Sequence, residues 1–150
     1  MIFYSYDEFK SDVNMLAKEL KSFKPDVILA VARGGVTLGH FLAEALEMRD
    51  LYFINSIHYE ETRKLDIINI FNIPDLSKAK KVVVVDDIID SGETMIEIKK
   101  VLLKKYPNLD LKVASIYYKE NALLRPDFSA REATEWIDFF WDFEIDNLSR

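Results

Sequence analysis

The sequence predicts an α/β domain whose mostly parallel sheet is flanked by helices, and three observations carry that prediction. The apolar runs at 26–31 and 82–86 have the nearly unbroken hydrophobic character of strands covered on both faces. Segments with apolar residues at helical spacing alternate with the strands, which implies right-handed crossovers between parallel neighbours. Both runs lead into a turn containing glycine, and the four glycines of the chain lie only at Gly34, Gly35, Gly39 and Gly92.

Ser5 with Glu8 has the pattern of a capping box, and Phe9, Val13, Leu16, Leu20 and Phe23 recur at helical spacing up to Pro25. A short buried strand at 26–31 follows, then a turn at 32–35 and a helix to about residue 47 carrying Leu38, Leu42, Ala45 and Leu46. Residues 51–57 read as the next strand, 58–66 are polar and charged, and 67–71 are extended again. The 82–86 strand precedes a helix over about 93–106, ended by Pro107, and a strand at 111–118. The segment 119–150 breaks this rhythm with Asn121, Pro126, two tryptophans and four phenylalanines. It reads as a small hood on a core of about 1–118, within one domain spanning 1–150.

With 150 residues and 49% hydrophobic content, the chain can bury one sizeable core. It contains no cysteine, which excludes disulfides and thiol catalysis. Met1-Ile2-Phe3-Tyr4 starts no signal-peptide pattern and no apolar run nears the roughly 18 residues of a membrane span, so the expected compartment is the cytoplasm. A formal charge of −6 argues against a general electrostatic grip on nucleic acid.

Chemistry concentrates where the 82–86 strand ends. Ligands of parallel sheets collect outside the carboxyl ends of the strands, so Asp86 and Asp87 arrive where a crevice is expected. Ser91, Gly92, Glu93 and Thr94 then offer a close backbone approach, hydroxyl donors and a helix N-terminus, which together suit a phosphate. Paired acids beside a phosphate cradle suit a sugar phosphate, either accepting from its hydroxyls or holding Mg²⁺. Arg33-Gly34-Gly35, between a strand and a helix, suits a second phosphate group. Lys119 ends another strand on the same edge, and Trp136 offers a flat face for stacking.

The run from Val82 to Thr94 resembles the phosphoribosyl-pyrophosphate (PRPP) motif of type I phosphoribosyltransferases: apolar residues, two acids, two apolar residues, Asp, a small residue, Gly, any residue and Thr. Arg33-Gly34-Gly35 resembles that family's pyrophosphate loop in its xanthine-guanine form, which implies a cis peptide at Ala32-Arg33. The stretch 56–64 resembles the flexible loop that closes over PRPP, with Arg63 and Lys64 meeting the departing pyrophosphate. Lys119 matches the lysine that contacts the exocyclic oxygen of 6-oxopurines, and Trp136 and Ile137 match the hood residues that stack on the purine and contact its edge. Phe139 and Phe140 depart from the family pattern, which often has a polar residue and Pro there.

The resemblance covers nearly the whole chain. It implies transfer of a 5-phosphoribosyl group from PRPP to guanine, xanthine or hypoxanthine in purine salvage. In that reaction Asp90 is the general base or charge stabiliser, Asp86 and Asp87 hold the ribose hydroxyls or Mg²⁺, and Ser91 to Thr94 hold the 5′-phosphate. It also implies a homo-oligomer, dimer or tetramer. Two alternatives stay open, a phosphoribosyltransferase for adenine or a pyrimidine and a non-catalytic PRPP-binding regulator.

Overall fold

The computed structural model describes residues 1–59 and 67–145. Ser5 caps α1 (Tyr6–Phe23) through a complete capping box: its hydroxyl accepts from Glu8 N and the Glu8 carboxylate accepts from Ser5 N. Lys24 closes the helix in the left-handed conformation and Pro25 follows. The chain continues through β2 (Val27–Ala32), α2 (Val36–Ala45), β3 (Leu51–Tyr59), β4 (Ile67–Phe71), β5 (Lys81–Ile89), α3 (Glu93–Lys105) and β6 (Asp110–Tyr118). Each of these elements lies on the run where the sequence pattern puts it, but β3 continues past 57 to Tyr59, into the stretch that resembles the flexible loop, and β5 continues past 86 to Ile89.

The main sheet has six strands in the order β4-β3-β2-β5-β6-β7, where β7 is Phe128–Glu132. β4 runs antiparallel to β3 and the other neighbours are parallel. Alternate residues of the central strands serve two cores. Ile28, Ala30, Val83 and Val85 pack on the side of α1 and α2, while Leu29, Val31, Val82 and Val84 pack with Met95, Ile98 and Leu102 of α3. Val82 to Val85 are all fully buried. Each such side chain contributes about 1.5 to 3 kcal/mol, which accounts for the unbroken β-branched run.

Three strands have no counterpart in the expected order. β7 follows β6 as a parallel edge strand, so residues 128–132 extend the core sheet instead of belonging to a hood that begins at 119. Its residues are only partly buried and form no apolar run, so edge pairing defines the strand and leaves little trace in the pattern. β1 (Ile2–Tyr4) pairs in parallel with β8 (Ile137–Phe139) in a separate two-stranded sheet. The hood thus draws on both the first and the last described residues.

Candidate active site

Parallel pairing of β2, β5 and β6 brings Ala30 level with Val85 and Val85 level with Ala114. The loops after these strands therefore open on one edge, and most of the expected site residues gather there. After β5 the backbone turns through Gly92, whose φ of +86° favours glycine. A Cβ there would also lie 2.7 Å from Leu124 N. Gly92 stands at the N-terminus of α3 without a side chain to cap it, and Glu93 N donates to Ser91 Oγ at 3.2 Å. Asp90, Ser91, Gly92 and Thr94 line a hollow of about 80 Å³, sized for a compact anion at a helix N-terminus.

After β2 the Ala32–Arg33 peptide is cis, at the position the resemblance implies. Here glycine answers to crowding. A Cβ on Gly34 would sit 2.6 Å from Asp87 Oδ2, and one on Gly35 would strike Val85 O and lie 2.9 Å from Asp86 Cα. The turn is thus pressed against the head of β5. Arg33, Gly34 and Asp87 share a cavity of about 410 Å³ with Trp141, Asp142 and Phe143.

Asp86 and Asp87 are half-buried between these two hollows. Asp86 Oδ1 accepts from Asp87 N at 2.9 Å and Asp87 Oδ1 from Ile88 N at 2.7 Å. Burial, followed by the neighbouring Asp87 charge, pushes the Asp86 carboxyl well above the usual carboxylate range. Burial raises Asp87 as well, and the charge of Asp142 adds to it. Among the described residues no Lys or Arg forms an ion pair with either acid. Nor do the described residues contain a cluster of three or more His, Cys, Asp or Glu able to hold a metal. Two hard oxygen donors without a cation fit Mg²⁺ in the manner typical of that ion, which keeps few protein ligands and takes the rest from phosphates and water.

Beside the acids lies the largest cavity described, about 790 Å³. Asp87, Asp90, Lys119, Asn121 and Thr134 to Ile137 line it. Lys119 Nζ makes an ion pair with Asp90 Oδ1 at 2.6 Å, so the lysine meant for the base and the acid meant for chemistry already touch. Trp136 is 76% exposed at this cavity, whereas Trp141 is stacked on Phe139 at 4.7 Å and packed into an aromatic core. Glu120, Asn121, Glu132, Thr134, Glu135 and Asp142 also line the cavity and were not among the expected site residues. They belong to no motif and sit mostly in irregular connections. Only the position of Asp142, next to the tryptophan that closes the hood run, could have suggested it. Arg63 and Lys64 lie outside the described residues.

Comparison with known proteins places this geometry in a family. The model of the phosphoribosyl transferase domain matches residues 5–147. A xanthine-guanine phosphoribosyltransferase of Idiomarina loihiensis is 27% identical over 147 residues, 95% of this chain and 88% of that protein. Among solved structures, the Helicobacter pylori xanthine-guanine-hypoxanthine phosphoribosyltransferase superposes with a TM-score of 0.87 at 38% identity, covering 93% of this chain and 92% of that one. A purine phosphoribosyltransferase from Pyrococcus horikoshii Ot3 gives a TM-score of 0.82 at 28% identity over 99% and 98% of the two chains. With residues 5–147, nearly its whole length, matched, the chain belongs to the phosphoribosyl transferase domain family.

Proposed function

We propose that this enzyme transfers the 5-phosphoribosyl group of PRPP to a 6-oxopurine, guanine, xanthine or hypoxanthine, releasing pyrophosphate and giving a purine nucleotide for salvage. The observation that carries the reading is the arrangement of three hollows around Asp86 and Asp87. One is at the turn Ser91 to Thr94, one at Arg33 to Gly35, and a larger one is bounded by Lys119 and Trp136. A ribose with phosphate at one end, pyrophosphate at the other and a base to one side has that outline.

In this reading Ser91, Gly92, Glu93 and Thr94 bind the 5′-phosphate, and Arg33, Gly34 and Gly35 bind the pyrophosphate. Asp86 and Asp87 hold the ribose hydroxyls and Mg²⁺. Mg²⁺ neutralises charge on the leaving pyrophosphate when bound. The bond from C1′ to pyrophosphate oxygen breaks as a purine nitrogen bonds to C1′, and Asp90 takes the proton that nitrogen sheds. Lys119, held by Asp90 at 2.6 Å, turns to the exocyclic oxygen of the base, which frees the Asp90 carboxylate for that proton. Trp136 stacks on the purine and the Ile137 backbone meets its edge. Arg63 and Lys64 complete the pyrophosphate site by the family resemblance.

We place the enzyme in the cytoplasm as a homo-oligomer, dimer or tetramer. Exposed Tyr52, Phe53, Ile57 and Tyr59 on β3 and Ile67 and Phe71 on β4 support association. The deciding experiment incubates the protein with PRPP, Mg²⁺ and each of guanine, xanthine, hypoxanthine, adenine and uracil, with nucleotide and pyrophosphate as readouts. Product from 6-oxopurines alone is expected. Product from adenine or uracil moves the acceptor class, and PRPP binding without product makes the protein a regulator.

A further inference from the structure

Trp136 and Ile137 do not stand on the six-stranded sheet. They lie at the start of β8, which pairs with β1 alone among the described strands. Ile2 N donates to Trp136 O at 2.9 Å and Phe140 N to Tyr4 O at 3.0 Å, with Ile2 opposite Ile137 and Tyr4 opposite Phe139. An isolated pair of three-residue strands is too small to fix its own place. The pair is held by the buried Ile137 and Phe139 of β8 and by an anchor on β1, which helps to place the face proposed to meet the base.

That anchor is Tyr4. Its ring is fully buried, in edge contact with Phe9, Tyr117 and Phe139, and its hydroxyl donates to Asp12 Oδ2 at 2.6 Å. Asp12, on α1 and only 7% exposed, also accepts from Arg131 of β7, at 2.8 Å from Nε and 3.3 Å from Nη2. Burial first, and then the bond to Asp12, hold the Tyr4 hydroxyl far above the ordinary phenol range, so it stays a donor. One buried carboxylate thus ties the hood strand to the first helix and to the edge of the main sheet. None of Tyr4, Asp12 and Arg131 lines the base cavity.

We propose that Tyr4, Asp12 and Arg131 are positioning residues for the acceptor base, setting through β1 and β8 the separation of Trp136 and Ile137 from the Lys119–Asp90 pair. The inference rests on the base occupying the large cavity as proposed above. The phosphate turn and pyrophosphate loop stand on β5 and β2, and of the two phosphate hollows only the rim that includes Trp141 to Phe143 belongs to the hood. Loosening the tie therefore acts more on the base than on PRPP.

The test is steady-state kinetics of Tyr4→Phe, which keeps the ring, and Asp12→Asn, which keeps the shape. Losing a hydrogen bond to a charged group, partly transmitted to the hood, predicts a KM for guanine raised about five- to twentyfold. The KM for PRPP is expected to stay within about twofold and kcat within about threefold, a split that general loosening of the fold does not produce. The double variant is expected to raise the guanine KM by less than the product of the single effects, because both act through one tie. Equal losses on both substrates, or a lowered melting temperature with an unmoved guanine KM, overturn the proposal. If Asp12→Asn does not fold, Tyr4→Phe alone decides. Wild-type protein that makes no nucleotide from any purine overturns the proposed function and this inference together. A normal wild-type rate with an unmoved guanine KM in Tyr4→Phe overturns the positioning role alone.

Discussion

Asp12 on α1 and the Asp86-Asp87 pair on β5 are both withdrawn from water, yet they keep different company. Asp12 meets a tyrosine hydroxyl and a guanidinium, and the three groups satisfy one another. Asp86 and Asp87, consecutive on β5, accept from backbone N–H groups and border the hollows at that end of the strand. Charge taken out of water is costly unless paired, and among the described residues Asp86 and Asp87 have no Lys or Arg partner, so burial raises their values instead. On the function proposed above, the paired acid serves the architecture and the other two serve the chemistry.

The sharpest way to break this contrast is to neutralise each kind in turn. Asp86→Asn and Asp87→Asn are expected to lower kcat/KM for PRPP by about 100-fold or more, near 2.7 kcal/mol, with a melting temperature unchanged or raised. A large fall in melting temperature would make the pair structural. Asp12→Ala should instead cost about 2 kcal/mol of stability in urea unfolding, below the range for fully buried pairs because Arg131 is partly exposed.

The same division separates two adjacent glycines. An alanine at Gly35 meets backbone of β5 and is expected to lose about 1 to 3 kcal/mol of stability, while at Gly34 it meets a carboxylate that can swing aside. Gly34→Ala should therefore raise the KM for PRPP while leaving urea unfolding within about 1 kcal/mol of wild type. The smallest effect is expected in pH. Folded-state values of Asp86 and Asp87 are raised, so their favourable contribution is full below the usual carboxylate range and is lost as pH climbs through the raised values. Metal-free wild type should lose more stability than Asp86→Asn between pH 4 and 8, measured by urea unfolding; the reverse order would mean the pair is compensated after all.

Legibility of the sequence followed the same line. Val82 to Val85 and the capping box at Ser5 announce their elements because burial on both faces and a two-way cap each demand particular residues. The turns at Asp86 to Thr94 and Arg33 to Gly35 were readable because close backbone approach and a left-handed residue restrict what is allowed there. β1, β7 and β8 were not, being short or at an edge, and positioned by tertiary pairing that no periodicity records. Asp12 looked like one more polar residue of an amphipathic helix. Its partners are 8 residues behind and 119 ahead, a relation invisible to local pattern. Glu120, Asn121, Thr134, Glu135 and Asp142, which also line the large cavity, were missed because irregular connections carry no period.

The loop after β6 is stitched to the phosphate turn, with Lys119 N donating to Ile89 O at 2.9 Å and Leu123 N to Ser91 O at 2.8 Å, while Leu124 packs against Gly92. On the function proposed above, base choice and sugar-phosphate grip are therefore coupled through this stitch. A graft of residues 119–124 from a relative with another acceptor would bring a new lysine loop onto an old turn, and the two would have to be exchanged as one piece for either to work.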